Sequence, residues 1–263
     1  MTLPVAVVLG VLQGLTEFLP VSSSGHLALA QMLIPGFSQP GVVFDAMLHV
    51  GTAGAVIWYE RRDILRWVSS GAGRRMLLLL LVGTGATAVV AFPLKATAEA
   101  AFTRPAWVAV ALLVTGLVVG LTRWLGRGTV TEPDTGWWQV TLIGLAQGLA
   151  VFPGLSRSGM TITTALGGGL DRRWAARFSF LLGVPAIAGV AVLQVAGERT
   201  ALLAEGPSFW LACLVGAAAA GLSGYLALTI VVRSLTSRVF HRFAWYCVPL
   251  GVLVLVLTWW SVP

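Results

Sequence analysis

The residues best suited to chemistry lie in two short stretches of the chain. In the first, Gln13 and Glu17 are four positions apart and would share one face of a helix. A carboxylate in apolar sequence is costly unless it meets a cation, a metal ion or water. Ser23 and His26 follow closely and could act as nucleophile, general acid or general base. The second stretch supplies Arg157, whose planar guanidinium suits the oxygens of a phosphate group.

The two stretches are copies of one pattern. Residues 10–27 read GVLQGLTEFLPVSSSGHL and residues 144–161 read GLAQGLAVFPGLSRSGMT, and they align without gaps. This similarity indicates an internal duplication. The copies differ where chemistry is expected: Glu17 aligns with Val151, Ser23 with Arg157, and His26 with Met160. One copy therefore carries an acid and a histidine and the other an arginine, as two half-sites specialised around an anion would.

Each stretch also places hydroxyl groups beside a glycine at the expected start of a helix. Serine there is a normal N-cap, so capping alone could explain one or two of these residues. The N-terminus of a helix also presents free N–H groups and the positive end of the helix dipole, which favour a bound anion. We therefore predict that the hydroxyl-bearing residues of both copies bind phosphate together with Arg157: Ser22, Ser24, Ser156, Ser158 and Thr161.

Glu17 is expected to be a metal ligand or general base, with Gln13 as a neutral oxygen donor. The alternative is a structural ion pair between Glu17 and Arg157, which would not exclude a site. Asp45 and His49 form a second pair four positions apart. They could support a metal from its outer shell, or simply hydrogen-bond to each other.

The composition is that of a membrane protein: 57% hydrophobic residues, 10% charged residues and a mean hydropathy of +0.87. Six segments are long enough to cross the hydrocarbon core: 41–59, 76–94, 105–123, 175–196, 208–232 and 243–261. The duplicated stretches are instead broken by polar clusters, which are tolerated at membrane depth only inside protein or beside a cavity. We predict an all-α integral membrane protein with about six transmembrane helices and two re-entrant helical hairpins.

The arginines predict the orientation. Thirteen of the 17 basic residues fall in the loops at 60–75, 123–137, 171–177 and 233–242, whereas Lys95, Arg104 and Arg199 fall on the other side. The positive-inside rule makes those four loops cytoplasmic. The first hairpin then opens outward and the second toward the cytoplasm, which is an inverted-topology repeat with its site near the midplane. We expect a single domain over residues 1–263, with repeats at about 1–125 and 135–263.

The remaining features are less specific. The net charge of +7 is explained by the cytoplasmic arginines, so nucleic acid is not an expected partner. Cys213 and Cys247 lie in separate spans and are expected in the core. Glycine-rich stretches at 167–169 and 216–224 could pack helices within one chain or in a homodimer.

Residues 13–27 and 153–161 resemble the two signature motifs of the undecaprenyl-pyrophosphate phosphatases, also called the bacitracin-resistance family. Length, span number and motif spacing extend this resemblance over essentially the whole chain. It implies an integral enzyme of the bacterial inner membrane, with its active site toward the periplasmic side. Such enzymes remove the terminal phosphate of the C55 isoprenyl pyrophosphate lipid and so regenerate the carrier for peptidoglycan synthesis.

The resemblance also implies residue roles and a cofactor. The family's Glu/Gln-x-x-x-Glu motif falls on Gln13 and Glu17, its functional serine and histidine on Ser23 and His26, and its phosphate-binding arginine on Arg157. A divalent cation, Mg²⁺ or Ca²⁺, is expected. The nucleophile is either Ser23 or His26, and we favour Ser23 with His26 as its proton partner.

Transport is the rival interpretation. Inverted repeats with broken helices that meet at the midplane are also the architecture of secondary transporters. A lipid-phosphate flippase or an anion transporter could use the same cavity. The concentration of catalytic residue types, together with the resemblance, favours the enzyme.

Overall fold

The computed structural model describes residues 2–34, 41–70, 73–198, 202 and 205–260. Apart from one isolated bridge between Val130 and Leu170, the regular structure in these ranges is helical. The α-helices are α1 (Leu3–Phe18), α2 (Ser23–Leu33), α3 (Gly41–Tyr59), α4 (Arg61–Ser70), α5 (Gly73–Phe102), α6 (Pro105–Leu121), α7 (Trp137–Leu149), α8 (Arg157–Gly167), α9 (Arg172–Gly197), α10 (Pro207–Thr236) and α11 (Ala244–Trp260). Short 3₁₀ turns lie at Glu132–Asp134 and Phe240–Phe243.

Within the described ranges, four helical segments are long and apolar enough to cross a membrane. They are Gly73–Phe102, Arg172–Gly197, Pro207–Thr236 and Phe240–Trp260, which includes α11. Shorter apolar helices occur at Leu3–Phe18, Val43–Tyr59 and Pro105–Leu121. The prediction of an all-α integral membrane protein is therefore confirmed, and the six predicted spans coincide with α3, α5, α6, α9, α10 and α11.

Each duplicated stretch forms two short helices joined by a turn. Helices α1 and α2 have 16 and 11 residues, and α7 and α8 have 13 and 11. At about 1.5 Å per residue, even the longest falls short of the roughly 30 Å hydrocarbon core. The side from which each hairpin enters and the repeat boundaries stay predictions. Arg199, which was assigned to the outer side, lies outside the described residues.

Glycines let each hairpin lie close to a long helix from the other half of the chain. A Cβ at Gly14 in α1 would collide with the carbonyl oxygen of Ala220 in α10. In the same way, a Cβ at Gly144 in α7 would collide with the carbonyl oxygen of Gly83 in α5. Close backbone approach of this kind is typical of helices packed in membranes, where small residues form the interface.

An aromatic contact fixes the end of α1 against α9. Phe18 and Phe180 are both fully buried, and their rings pack edge to face with centroids 5.5 Å apart. Phe18 directly follows Glu17, and Phe180 directly follows Ser179, which is a neighbour of Arg157. The packing therefore holds the acidic end of one hairpin beside the arginine of the other.

Ion pairs and hydrogen bonds of buried and partly buried side chains connect the helices at the arginine-rich end of the molecule. Glu60, which is only 2% exposed, accepts from Arg177 Nε at 2.9 Å, and Arg177 also pairs with Asp63. Farther along the same end, Glu132 accepts from Trp67 Nε1 at 2.5 Å. From the sequence, arginines in these loops served only as markers of topology. Arg177 also joins the α3–α4 junction to the first turns of α9.

Candidate functional site

The turns of the two hairpins meet inside the helical bundle. Gly154 N, in the turn before α8, donates to Ser22 Oγ at 3.0 Å. In return, Ser158 Oγ donates to the carbonyl of Leu19, in the turn before α2, at 3.1 Å. A Cβ at Gly25 would lie 3.2 Å from Gly154 Cα, so the two backbones nearly touch. One serine from each hairpin thus connects it to the turn of the other.

The carboxylate of Glu17 lies where the hairpins meet. Glu17 is only 6% exposed, and its Oε1 accepts a hydrogen bond from Arg157 Nη2 at 2.5 Å. Its Oε2 accepts from Ser23 Oγ at 2.6 Å and from Gln13 Nε2 at 2.8 Å. The ion pair considered from the sequence is therefore present, and the same carboxylate also holds the candidate nucleophile. Four of the predicted site residues come together in this one cluster.

Arg157 is positioned by the start of its own helix and by α9. It is the first residue of α8, directly after the N-cap Ser156. Its Nη1 is 3.4 Å from the carbonyl oxygen of Ser179. The guanidinium lies so close to Gly183 that a Cβ there would collide with it. Glycine at position 183 therefore makes the space that the arginine occupies.

His49, which was considered with Asp45 as an outer-shell residue of a metal site, lies beside the candidate ligands Glu17 and Gln13. Its Nδ1 is 3.3 Å from Glu17 Oε2 and 2.9 Å from Gln13 Nε2. Asp45, one helical turn away, accepts from Gln31 Nε2 at 2.9 Å. His49 thus belongs to the Glu17 cluster, and Asp45 joins α3 to α2.

The oxygen atoms of the cluster fit a hard divalent cation that has few protein ligands. Gln13 Oε1 is buried without a hydrogen-bond partner among the described residues, so it is free to coordinate. Across the described part of the chain, no three His, Cys, Asp or Glu side chains are grouped as metal ligands. Such a cation would therefore depend on Glu17, Gln13, water and ligand oxygens, as Mg²⁺ often does beside phosphate.

His26 is held in a defined orientation by a residue far away in the sequence. Its Nδ1 is 2.8 Å from the carbonyl oxygen of Ser22, which can only accept, so Nδ1 carries the proton. Its Nε2 is 2.7 Å from Tyr246 Oη, and the two rings are stacked at 5.6 Å. In the neutral imidazole, Nε2 thus accepts from the phenol. Tyr246 had no signal in the sequence because it lies in an apolar span, 220 positions away.

The two N-cap serines mainly serve the fold. Ser22 Oγ accepts from Gly25 N at 3.3 Å, and Ser156 Oγ accepts from Gly159 N at 3.1 Å. Both are almost completely buried. Ser22 also has a positive φ of 68°, which is uncommon for a residue other than glycine. These contacts explain both residues without a ligand.

The other predicted phosphate-binding hydroxyls also have partners within the protein. Ser24 lies 3.4 Å from Ser22 Oγ. Thr161 Oγ1 lies 2.5 Å from Ser179 Oγ and donates to the Arg157 carbonyl at 2.8 Å. Their binding of phosphate stays a prediction, and so does that of Ser22, Ser156 and Ser158.

Comparison with known proteins identifies the family. A family model described as bacitracin resistance protein BacA matches residues 6–253. The chain is 40% identical over 254 residues to a protein of Carboxydothermus hydrogenoformans named undecaprenyl-diphosphatase, with 96% of each chain covered. A protein of the same name from Desulfosudis oleivorans is 41% identical, and the match covers 95% of this chain and 96% of that protein. Another from Syntrophotalea carbinolica is 38% identical, with 94% of this chain and 95% of that protein covered. The match extends over both hairpins and nearly all the helices around them, so this chain belongs to the bacitracin resistance protein BacA family.

Proposed function

We propose that this membrane protein is an undecaprenyl-diphosphatase, which hydrolyses undecaprenyl pyrophosphate to undecaprenyl phosphate and inorganic phosphate. The relatives that match nearly end to end bear that name. The observation that carries the proposal is the Glu17 carboxylate, held between Arg157 at 2.5 Å and Ser23 at 2.6 Å. It gives a buried cation for phosphate beside a hydroxyl with its proton acceptor already in place. No relative reported above has a transporter's name, so the hydrolase is favoured over a flippase.

The substrate would enter from the bilayer with its pyrophosphate toward the hairpin turns. The isoprenyl tail remains among the lipids, and the charged head meets the N-termini of α2 and α8 and the Arg157 guanidinium beside Glu17. These groups stabilise the negative charge on the transferred phosphoryl oxygens, where most of the catalytic effect in phosphoryl transfer arises. A divalent cation held by Glu17 and Gln13 would add Lewis-acid neutralisation of the phosphate oxygens.

Ser23 is the nucleophile that the hydrogen bonds favour. As its Oγ forms a bond to the terminal phosphorus, its proton passes to Glu17 Oε2, 2.6 Å away. The bond from that phosphorus to the bridging oxygen breaks, and undecaprenyl phosphate leaves. Water then attacks the phosphoserine and the bond from phosphorus to Ser23 Oγ breaks, with Glu17 returning the proton to that oxygen. The Tyr246 hydroxyl, which donates to His26 Nε2, can relay a proton from the water to that nitrogen as inorganic phosphate is released. Rapid quench during turnover should trap phosphoserine at position 23, and trapped phosphohistidine would reverse the roles.

The membrane and the orientation belong to the same proposal. We infer the inner (cytoplasmic) membrane of a bacterium, with the site open toward the periplasm. The support is the concentration of arginines in four loops, which the positive-inside rule assigns to the cytoplasm. A homodimer stays a prediction from the glycine-rich stretches. The test introduces a cysteine at position 124, where Trp124 is exposed, and treats spheroplasts with a membrane-impermeant maleimide. Labelling of that cysteine would contradict this orientation.

The test of function is phosphate release from undecaprenyl pyrophosphate by the detergent-purified protein. It is run with Mg²⁺, with Ca²⁺ and with chelator, on wild type and on Glu17→Gln, His26→Ala and Arg157→Ala. Matched controls change the same residue types elsewhere: Glu99→Gln, His241→Ala and Arg123→Ala. We expect metal-dependent release that only the three site variants lose. A folded wild type that releases no phosphate with either ion would rule out the proposed activity.

A further inference from the structure

A second cationic site lies at the arginine-rich end of the molecule, away from the hairpin turns. There a cavity of about 460 Å³ opens between the segment that follows α6, the start of α9 and the end of α10. Four arginines and one carboxylate are among its lining residues: Arg127, Arg172, Arg173, Arg238 and Asp171. From the sequence, these arginines indicated only which loops face the cytoplasm.

The backbone brings the arginines together. Val130 N donates to the Gly169 carbonyl at 3.0 Å, and Asp171 N donates to the Val130 carbonyl at 2.8 Å. These two bonds hold the segment after α6 against the start of α9. Gly128 permits the contact, since a Cβ there would collide with the Leu170 carbonyl oxygen. Arg127 is thereby placed opposite the first residues of α9.

The positive charges in this cavity are poorly compensated. Asp171 is the only carboxylate among the lining residues, and its Oδ1 already accepts from the backbone N–H groups of Arg173 and Trp174. Arg172 donates from Nη2 to the Leu125 carbonyl at 2.9 Å, but its Nε is buried with no partner in the described residues. Four guanidinium groups around one carboxylate repel each other, and a bound anion would relieve that repulsion.

Arg238 occupies a position that usually belongs to glycine. Its φ is +58°, and it follows Ser237, the C-cap of α10. Arg238 N donates to the Leu235 carbonyl, and Val239 N donates to the Ser234 carbonyl. This is the hydrogen-bond pattern of a Schellman motif, whose left-handed residue is most often glycine. The fold thus carries an arginine where glycine would be less strained, and that arginine lines the cavity.

We propose that this cavity, which we call the arginine cavity, binds a phosphate-bearing anion. Arginine is suited to such a ligand because its fork donates two hydrogen bonds to phosphate oxygens. The anion is either the headgroup of an acidic membrane lipid or free phosphate or pyrophosphate. This inference does not depend on the proposed hydrolysis, since it rests on other residues and is tested by binding alone.

Binding is measured on the full chain in phosphatidylcholine nanodiscs, titrated with phosphatidic acid or with inorganic pyrophosphate. The test variant is Arg127→Gln/Arg238→Gln. The matched control is Arg123→Gln/Arg233→Gln, which removes the same charge from the same two segments at exposed arginines outside the cavity lining. Every protein keeps the Glu17 cluster intact, so ligand bound there is common to all and cancels in the comparison.

We expect the test variant to bind at least about tenfold more weakly, because it loses two charge-assisted contacts. The control should stay within about twofold of wild type on the same scale. Pyrophosphate that binds wild type and displaces phosphatidic acid identifies a free anion as a ligand. Phosphatidic acid that binds without such competition identifies a lipid headgroup. Equal binding by test and control variants, or no binding of either ligand to wild type, would overturn the proposal.

A single substitution separates loss of binding from loss of folding. Arg238→Gly places the residue that the left-handed conformation favours, so its Tm should equal or exceed that of wild type. Its affinity for the anion should nevertheless fall. A stable Arg238→Gly protein that binds the anion as wild type does would contradict a role for Arg238 in the arginine cavity.

Discussion

The α1–α2 and α7–α8 hairpins have one sequence pattern in common, yet they contribute different residues to the candidate site. Two of the positions identical in both copies build the scaffold, since Ser22 and Ser156 cap the second helix of each hairpin. Positions that differ supply the charged groups and the candidate nucleophile of the site. Glu17 and Ser23 form hydrogen bonds in the first copy, and Arg157 completes the cluster from the second. The two copies thus form hairpins that are capped in the same way, and differences at a few positions make the side chains of one hairpin complementary to those of the other.

The aligned glutamines show how one substitution changes the role of its neighbour. Gln13 Nε2 donates to Glu17 in the first hairpin. The equivalent Gln147 faces no carboxylate, because Val151 replaces it, and its Nε2 donates to Thr87 Oγ1 at 3.0 Å instead. The same side chain therefore supports a candidate cation site in one copy and helix packing in the other.

The strongest test of this division makes the first hairpin resemble the second. Glu17→Val removes the proton acceptor of Ser23 and leaves Arg157 buried without its partner. Phosphate release should fall about 10³-fold, as for loss of a principal charged group in phosphoryl transfer. The unpaired arginine should also lower the free energy of unfolding by about 3–5 kcal/mol, so Tm is measured in parallel. Val151→Ala at the aligned position should leave activity nearly unchanged. A folded Glu17→Val protein with more than a tenth of wild-type activity would contradict the different roles assigned to the two hairpins.

A second test moves Arg157 without changing it. Gly183→Ala introduces a Cβ where the guanidinium lies. Activity should fall about 10²-fold, because small displacements of a catalytic group are costly. Gly189→Ala, on the same helix with open space around it, is the matched control and should keep its activity. Equal activity of the two variants would mean that the position of Arg157 does not matter.

A third test asks what the second half of the chain contributes to His26. Tyr246→Phe keeps the stacked ring but removes the hydroxyl 2.7 Å from Nε2. We expect kcat to fall about tenfold with KM nearly constant, since one neutral hydrogen bond that orients a general base is lost. Tyr225→Phe, whose ring packs on Tyr59, is the control. A rise in KM alone, with kcat unchanged, would assign Tyr246 to substrate binding instead.

The smallest expected effects concern the shared scaffold. Ser156→Ala should lower the free energy of unfolding by about 1 kcal/mol, the usual cost of losing an N-cap. Ser22→Ala should cost somewhat more, because Gly154 N would also lose its acceptor. Denaturant or thermal unfolding in detergent measures both. A gain of stability in either variant would contradict the assigned capping role.

The sequence revealed most of what depends on residue type and short spacing. The i,i+4 relation of Gln13 and Glu17, and the rarity of acids in apolar sequence, were enough to identify the cluster. The partnership of Glu17 with Arg157 was considered because the two hairpins were expected to meet. The apolar runs likewise predicted the helices that cross the membrane, since length and hydropathy are local properties.

What the sequence did not reveal depends on long-range packing. Tyr246 and Gly183 belong to apolar helices, where neither residue type nor spacing distinguishes a site neighbour from a lipid-facing or core position. The spacing of Asp45 and His49 left open an outer-shell metal role or a local hydrogen bond, and only the rotation of α3 shows that His49 contacts Glu17. The Glu60–Arg177 pair joins residues more than a hundred positions apart. None of these contacts leaves a local pattern.

The most direct test of the account is a double-mutant cycle across the two hairpins, measured as kcat/KM for phosphate release. The variants are Glu17→Asp, Arg157→Lys and the two combined, which keep both charges but change the geometry. If the two residues act as one unit, each single variant loses about 10²-fold and the double variant loses little more. Losses that multiply to about 10⁴-fold would show that Glu17 and Arg157 act independently, and would contradict a single site shared by the two hairpins.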